Sequence, residues 1–425
     1  MDAPTHDQPE RPASRVGEVI RVVAPLAWVA FGGPQAHLAL LHERIVDRRR
    51  WVDDQAFVEL YGMCSILPGP TSTQTVIGLG VIRAGFWGGL AALLVWAFPA
   101  VSLMTLFALG VSFFEPAQVD AVLAGVRPAA VGLVAVAAWK LGQKVVKDAF
   151  TVAMLALGTI VCILYPRPLT FPLVLLAAGL LALWLGRVDP DRPHVDVHVS
   201  ISRRVGAVSI ALFVVLLVGL NLFVNAFDAS TSDANPPSWF AEAEVIECFY
   251  RNSSLIFGGG QVLLPLLETE AVMTNGWLTA TQFGNGLGVM QSLPGPLFSF
   301  SAYIGGMAAL EVEPDPTSLD QLRFALLAAG AIFLPAFLLL IGVIPFWSRL
   351  RRLESIRRAL VGVNACAVGL VVAAVWLLGE DYVTGVFEAF LAVATFIGVI
   401  RFRLPAPAAI ILSGVAALLV SGLAG

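Results

Sequence analysis

The chain has 425 residues, of which 58% are hydrophobic and only 13% charged, and its mean hydropathy is +0.82. Soluble globular proteins are nearer half apolar and a quarter charged, so this composition excludes a soluble domain and indicates several membrane spans of about 20 residues. The net charge of −4 excludes little, and we predict no nucleic-acid partner. The four cysteines lack CxxC or Cys/His spacing, so we predict neither a metal site nor a cofactor.

Residues 1–17 are polar, and we predict that they form a disordered tail. The first apolar stretch follows and contains the run Phe31-Gly32-Gly33-Pro34-Gln35. Arginines flank it on both sides, for example Arg21 and Arg50. Because cytoplasmic loops collect Lys and Arg, both ends of this stretch are expected inside the cell. It therefore cannot cross the membrane once, and we predict a re-entrant hairpin bent at the glycines.

The second apolar stretch, residues 55–82, is broken by Pro68-Gly69-Pro70 and ends at the basic Arg83. The same argument from flanking charges predicts a second re-entrant hairpin, bent at these prolines. Four full crossings follow; the loop after the first is acidic, and the loop after the second contains lysines. We place these crossings at residues 85–113, 119–139, 148–165 and 169–186.

Three landmarks of the first half recur later in the chain at one constant distance, which we call the repeat spacing. Phe31 is matched by Phe257, Trp51 by Trp277 and Pro68 by Pro294. The second set comprises Phe257-Gly258-Gly259-Gly260-Gln261, Trp277 and Pro294-Gly295-Pro296. After an acidic insertion, matching residues are separated by more residues along the chain. Trp139 and Trp376 are an example, and we call their separation the longer repeat spacing.

The loops of the second half are acidic where those of the first half are basic, which predicts the opposite orientation in the membrane. The predicted domains are the tail, a first repeat at 18–188, a linker at 189–240 with a membrane helix at 206–226, and a second repeat at 241–425.

These features predict an all-α polytopic membrane protein with two antiparallel (inverted-topology) repeats. Each repeat has two Gly/Pro-broken re-entrant hairpins and about four full crossings, and the linker helix reverses the orientation of the second repeat. Inverted repeats with interrupted helices are typical of secondary transporters, whose binding site lies where the broken helices meet.

The helices that start after the two Pro-Gly-Pro turns form the predicted binding site. Proline suits the first turn of a helix, and a helix N-terminus carries free N–H donors and roughly half a positive charge, which favour an anion. The N–H groups expected there belong to Thr71, Ser72 and Thr73 after the first turn, and to Leu297, Phe298 and Ser299 after the second. The breaks themselves add glycines and neutral amides, namely Gly32, Gly33, Gln35, Gly69, Gln74, Gly259, Gly260, Gln261 and Gly295.

Arg127 is the charged residue expected nearest to this site. It lies eight residues into the crossing predicted from residue 119, about 12 Å deep at 1.5 Å per residue. An arginine near the bilayer midplane costs at least about 2.5 kcal/mol and is by default functional, so we include it in the binding site. Its counterpart at the longer repeat spacing is the uncharged Asn364, which we also include.

Each of these assignments has a structural alternative. The Pro-Gly-Pro turns can be simple helix breaks between packed segments, and the paired glycines can serve tight turns and close helix packing. Arg127 can snorkel to the outer surface. His37 can belong to a wet interfacial face instead of carrying protons. An intramembrane enzyme using Ser72 or His37 is a further alternative, although no Ser/His/Asp pairing stands out in the sequence.

Several short motifs of this chain are specific. They are Phe31 to His37, Arg49-Arg50-Trp51 and Pro68 to Gln74 in the first half, and Gly258 to Gln261, Gly276 to Thr279 and Pro294 to Pro296 in the second. Together they resemble the chromate ion transporter family in its long, two-domain form. Bacterial members often carry Asn-Ser-Thr-Glu after Pro-Gly-Pro, whereas this chain has Gln74 in place of the acid, which removes that proton carrier.

The resemblance implies transport of chromate and of sulfate, usually as efflux that gives chromate resistance. We therefore predict a secondary transporter of tetrahedral oxyanions and no enzyme activity, with an anion channel of the same fold as the alternative. The predicted location is the plasma membrane, with the N-terminus in the cytoplasm. The lipid bilayer and the chromate or sulfate anion are the predicted partners, and a homodimer is left open.

Overall fold

The helices of this chain follow the two halves of the sequence in the same order. A computed structural model describes residues 12–31, 33–111, 123–167, 170–185, 201–230, 238–257, 260–347 and 353–424. The first half contains α1 (Pro12–Ala27), α2 (Pro34–Leu41), α3 (Asp54–Ile66), α4 (Thr71–Val111), α5 (Val126–Val145), α6 (Ala149–Leu164) and α7 (Thr170–Leu185). The connecting helix is α8 (Arg203–Ser230). The second half contains α9 (Ser238–Leu255), α10 (Gly260–Glu268), α11 (Ala280–Ser292), α12 (Phe300–Val312), α13 (Ser318–Val343), α14 (Glu354–Tyr382), α15 (Val386–Arg401) and α16 (Ala406–Ala424).

Every regular element in the described ranges is a helix, as expected for a polytopic membrane protein. A helix satisfies its own backbone hydrogen bonds, which is the condition for crossing the hydrocarbon core. Among the described residues, four helices are long and apolar enough to do so: Thr71–Val111, Arg203–Phe227, Ser318–Phe346 and Arg358–Tyr382. The all-helical, multi-spanning part of the prediction is therefore confirmed.

The helices are interrupted where the sequence predicts breaks. The described residues that lie between helices at these places are 28–31, 33 and 67–70 in the first half and 256–257 and 293–296 in the second. Gly69 and Gly295, at the centres of the two Pro-Gly-Pro turns, have φ angles of +111° and +121°, which glycine adopts without strain. α4 contains a further break at Gly85 (φ +65°), which separates its first part from the long apolar segment that follows.

Two expectations about helix starts are wrong. α1 begins at Pro12, so residues 12–17 are helical and not a disordered tail, while residues 1–11 lie outside the described part of the chain. The crossing expected at 119–139 is α5, and Arg127 therefore lies in the first turn of a helix that begins at Val126. The physical reason is Pro128, because a proline is tolerated in the first turn of a helix and breaks its interior.

Helices of the two halves pack together in two groups. One contains α1, α4, α8, α9, α12 and α13, and the other contains α5, α6, α7, α14, α15 and α16. Small residues allow close approach: a Cβ on Gly362 would lie 2.2 Å from the Ala178 carbonyl oxygen, and one on Gly158 would lie 2.5 Å from the Cys366 carbonyl oxygen. Such contacts are the usual way in which helices pack inside a membrane. α10 and α11 connect the groups by contacting α14 and α5.

The two halves differ in how tightly the helix before the Pro-Gly-Pro turn is packed. A Cβ on Gly288 of α11 would lie 2.1 Å from Cγ1 of Val126 on α5, so these helices touch closely. Gly62 of α3 matches Gly288 at the repeat spacing. Around Gly62 no described atom lies within 4 Å of the place where a Cβ would be. Hence α11 is packed on this face, whereas α3 borders open space.

Candidate functional site

Each Pro-Gly-Pro turn is held against the glycine-rich break of the opposite half. The Gly69 N–H donates to the Ile256 carbonyl at 2.8 Å, and the Gly295 N–H donates to the Ala30 carbonyl at 2.9 Å. The two donors match each other at the repeat spacing, and so do the two acceptors. The four helix breaks therefore meet in two equivalent pairs, next to the helix starts that follow the turns.

The first helix start leaves N–H groups outside the helical hydrogen-bond ladder. The first backbone hydrogen bond of α4 runs from the Gln74 N–H to the Pro70 carbonyl at 2.9 Å. The N–H groups that precede this bond belong to Thr71, Ser72 and Thr73. Since the N-terminal end of a long helix also carries partial positive charge, this start has the chemistry of an anion site.

The second helix start is tighter than the first. A 3₁₀ turn at Leu297–Ser299 precedes α12, and in it the Ser299 N–H donates to the Pro296 carbonyl at 2.9 Å. The expectation that Ser299 offers its N–H to a ligand is therefore wrong, because that N–H closes the turn. A Cβ on Gly260 would lie 3.0 Å from Cβ of Leu297, so the glycine-rich break of the same half lies against this start.

Buried hydroxyl groups without protein partners lie at both helix starts. Thr73 and Ser299 match at the repeat spacing and are fully buried, and neither Thr73 Oγ1 nor Ser299 Oγ has a hydrogen-bond partner among the described residues. Ser301 Oγ, further along α12, is in the same situation. Each unsatisfied buried hydroxyl costs about 1–3 kcal/mol. A ligand that accepts hydrogen bonds at this place would offset that cost.

His37 connects the first helix start to the glycine-rich break of the same half. Its Nδ1 lies 3.2 Å from Ser72 Oγ, and its Nε2 lies 2.9 Å from the Ala30 carbonyl, which also accepts from Gly295. The ring is buried and meets the Trp96 ring edge-on, with centroids 5.2 Å apart. The interfacial alternative for His37 is thereby excluded. A hydrolase triad does not result either, since a carbonyl and no carboxylate orients the imidazole.

Gln74 and Gln261, the described glutamine side chains near the breaks, have different hydrogen bonds. Gln74 Nε2 donates to the Pro68 carbonyl at 2.8 Å and so stabilises the turn, while its buried Oε1 has no partner in the described ranges. Oε1 of Gln261, on α10, is also buried without a partner. Three further predicted site groups, namely Gly32, Gly259 and the side chain of Gln35, lie outside the part of the chain that the structure describes.

Arg127 lies beside the helix that leads to the second Pro-Gly-Pro turn. Its Nε donates to Oδ1 of the buried Asn285, on α11, at 2.7 Å. Gln291 Nε2, further along α11, lies 3.3 Å from the Ala130 carbonyl of α5, so the two helices run together towards the turn. Asn285 is seven residues before Ser292, where α11 ends, which places Arg127 roughly 10 Å from the beginning of the turn along the helix axis. Asn364 is half-buried within α14.

Asn252 and Ser253 are candidate binding residues that the sequence reasoning missed. They lie in the last turn of α9, just before the Ile256 carbonyl that holds the first Pro-Gly-Pro turn. Both residues are buried, and in the part of the chain that the structure describes neither Asn252 Oδ1 nor Ser253 Oγ has a hydrogen-bond partner. The signal was present in the sequence, as a polar run at 251–254 inside an apolar segment whose counterpart at 25–28 is apolar.

The two halves have equivalent backbone hydrogen bonds at the site, but three polar side chains of the first half are absent from the second. At the repeat spacing, three polar residues of the first half have apolar counterparts, because Leu263, Phe298 and Phe300 stand where the first half has His37, Ser72 and Gln74. The polar side chains and the imidazole therefore lie on the α4 side.

A profile of the chromate transporter family matches the chain twice, at residues 17–183 and at residues 243–419. The chain is 26% identical to the chromate transport protein of Cupriavidus metallidurans over 396 residues, which cover 92% of this chain and 90% of that protein. It is 28% identical to the chromate transport protein of Pseudomonas aeruginosa, over 81% of this chain and 76% of that protein. The probable chromate transport protein of Synechococcus elongatus is 26% identical, over 87% and 86%. No solved structure matches the chain.

Proposed function

Because this chain belongs to the chromate transporter family, we propose that it is a secondary transporter of tetrahedral oxyanions that exports chromate and also carries sulfate. The observation that supports this most is the pairing of the helix breaks by the hydrogen bonds of Gly69 and Gly295. The Ala30 carbonyl accepts from Gly295 and from His37, whose ring contacts Ser72, so this chain of bonds links the two helix starts. Each start has a buried hydroxyl, of Thr73 or Ser299, without a partner among the described residues. An oxyanion accepts hydrogen bonds from such groups on all sides, and no buried lysine is required.

The arrangement of the helices supports two inverted repeats, at 18–188 and 241–425, joined by the linker that contains α8. The two profile matches begin at residues 17 and 243, which are related by the same repeat spacing as the paired landmarks. In this topology the helix breaks are re-entrant, and the N-terminus is cytoplasmic. Tags placed in the loop at 146–148 and in the equivalent loop at 383–385 test it. The first is expected inside the cell and the second outside, and finding both on one side would refute the inversion.

The membrane potential favours export. Each elementary charge that crosses is worth about 2.3 kcal/mol per 100 mV, so a dianion in a cell with a negative interior is driven outward by about 4.6 kcal/mol. This corresponds to a concentration gradient on the order of 10³. Chromate export therefore needs no other driving ion, whereas accumulation of sulfate would require one. The expected location is accordingly the plasma membrane.

Flux measurements in proteoliposomes test the proposal. Purified protein should carry chromate with saturable kinetics, and sulfate should compete with it if both use the same site. Loading unlabelled chromate on the far side should accelerate exchange of labelled chromate in a transporter. The alternative, an anion channel of the same fold, predicts flux without saturation and without such acceleration. Absence of chromate flux from well-folded protein would refute the assignment.

A further inference from the structure

His37 makes two hydrogen bonds whose directions follow from the chemistry of its partners. Its Nε2 faces the Ala30 carbonyl, which can only accept, so this nitrogen carries a hydrogen. Its Nδ1 faces the Ser72 hydroxyl. In a neutral imidazole Nδ1 is then an acceptor, and the hydroxyl hydrogen of Ser72 points towards it.

This direction makes Ser72 a poor ligand for an anion. With its hydrogen used by His37, the hydroxyl presents only lone pairs to the start of α4. When Nδ1 gains a proton, the imidazolium becomes the donor and Ser72 Oγ accepts from it. The hydrogen of Ser72 is then free to donate to an oxyanion, beside the N–H groups of the first helical turn.

We propose that His37 takes up one proton when the oxyanion binds, and that Ser72 relays this change by reversing its hydrogen bond. The inference rests on the proposed function, because it concerns the same anion site and names the ion coupled to it. The proton comes from water on the side to which the site is open and forms the Nδ1–H bond, while the hydroxyl hydrogen stays on Ser72. His37 is thus a positioning residue. A proton that leaves with the dianion reduces the charge that crosses to one negative charge, so the membrane potential drives this coupled export by about 2.3 kcal/mol per 100 mV.

The charges at the site favour this pairing. Two helix N-termini supply roughly one positive charge in total, against two negative charges on chromate or sulfate, and an imidazolium closes the difference. The His37 side chain is nearly inaccessible, with its residue 2% exposed, so a positive charge there is costly unless an anion accompanies it. Leu263 and Phe298 occupy the equivalent positions of the second half, so one proton is expected for each anion.

Three charged or titratable groups on the elements around His37 have recorded hydrogen-bond partners other than His37. Glu18 of α1 is bonded to Arg83 of α4, and His42, after α2, is bonded to Asp54 at 2.6 Å. Glu59, on α3, accepts from the Trp347 indole at 2.6 Å. Within the described residues the contacts of the His37 ring are uncharged, namely Ala30, Ser72 and Trp96. A change in the charge of His37 is therefore answered by the anion and not by a neighbouring side chain.

The pH dependence of the apparent KM for chromate tests the inference. Flux is measured in proteoliposomes between about pH 5 and about pH 8, the range in which histidine changes charge. Chromate also changes charge there, so the quantity compared is the ratio of variant to wild-type KM at each pH. His37→Asn places an amide that cannot titrate near the position of Nδ1. We expect this ratio to rise towards low pH by up to about tenfold per unit.

Two further variants show whether Ser72 is the relay. Ser72→Ala should give a ratio that varies with pH like that of His37→Asn, because either change removes the proton-dependent donor. His42→Gln alters a half-exposed histidine close in sequence, and its ratio should stay constant. A ratio that does not vary with pH in His37→Asn overturns the inference. Should that variant fail a thermal-unfolding check, Ser72→Ala decides in the same way.

Proton uptake gives a second readout that does not depend on transport. Chromate is added to detergent-solubilised protein in weak buffer with a pH indicator. The same chromate stock is added to His37→Asn, and the signal of this variant is subtracted to correct for buffering by chromate itself. The wild type should take up one proton more per bound anion than the variant, and equal uptake overturns the inference. If the wild type carries no chromate at any pH, the proposed function fails; chromate flux with a constant KM ratio removes only the proton step.

Discussion

At the scale of single residues, the unpaired hydroxyls of Thr73 and Ser299 carry the most information. The Pro-Gly-Pro motif made both residues predictable as members of a helix start, since proline defines where such a helix begins. Which hydroxyl is left unpaired was not predictable, because it depends on neighbours from other helices. The sequence also could not show that the Ser299 N–H is used within the protein. This N–H closes a 3₁₀ turn, and the same residues could have begun an α-helix instead.

Replacing Thr73 by Val should weaken chromate binding without weakening the fold. Valine keeps the shape and removes an unsatisfied hydroxyl, so the protein should be as stable as before or more so. A hydrogen bond to a charged ligand is worth about 1.5–3 kcal/mol, so the apparent KM should rise about tenfold or more. Flux assays and thermal unfolding measure the two effects.

Matched controls come from the same helix. Thr105→Val removes another buried, unpartnered hydroxyl, near the far end of α4, and should leave KM unchanged. Thr73→Ser keeps the hydroxyl and should retain most of the affinity. Equal KM values for Thr73→Val and the wild type would place the anion elsewhere.

Arg127 can be tested by separating its charge from its hydrogen bond. Asn285→Ala removes the partner and leaves the charge, whereas Arg127→Gln removes the charge. If the guanidinium attracts the anion, Arg127→Gln should raise KM for divalent oxyanions more than for monovalent ones, and Asn285→Ala should affect both alike. The measurement is competition of divalent and monovalent oxyanions with chromate flux. Equal effects of the two variants would mean that Arg127 only joins α5 to α11.

At the scale of elements, the sequence predicted where helices stop better than where they start. Each predicted break coincides with an interruption, because glycine and proline act locally on the backbone. The start of α5 was misplaced, since apolar residues lie on both sides of it and only Pro128 marks the first turn. The pairing of breaks across halves was beyond sequence reasoning, because hydrogen bonds between residues so far apart in the chain leave no local pattern.

Substituting alanine in the break pairs should show what the pairing contributes. Gly295→Ala forces an L-residue to φ near +121° and brings its Cβ to 2.7 Å from Cβ of Ala100. Gly33→Ala meets the same kind of strain at φ +79° but has no atom within 4 Å. Strain alone costs about 1–3 kcal/mol, and the overlap at Gly295 adds to it. Thermal unfolding should therefore show a larger loss for Gly295→Ala, and equal losses would mean that the turn is loosely held.

At the scale of the whole molecule, the two halves share the positions of their helix breaks but differ in the side chains at those positions. The constant repeat spacing made the paired landmarks visible in the sequence, and the equivalent hydrogen bonds of Gly69 and Gly295 agree with it. The paired positions are nevertheless filled differently, as Ser72 and Phe298 illustrate. The sequence could have predicted this difference by direct comparison of the halves. It could not have predicted the difference in packing between α3 and α11, which arises from helix positions alone.

That difference in packing implies a second arrangement of the same chain. If the halves exchange their environments during transport, Gly62 must come to rest against Val363, as Gly288 now rests against Val126. The space beside Gly62 would then be the room that the moving part needs. In the proposed topology, where α3 begins at the cytoplasmic surface, the present arrangement would be one end of a rocking motion, open to the cytoplasm.

Gly62→Leu should therefore leave thermal stability unchanged and abolish chromate exchange, because the added side chain fits only the present arrangement. Gly219→Leu, on the connecting helix and likewise without neighbours, should leave both unaltered. Normal exchange by Gly62→Leu would mean that α3 never closes on α14. A protein stopped in this way would still bind chromate from the cytoplasmic face, and it would hold the anion without releasing it to the other side.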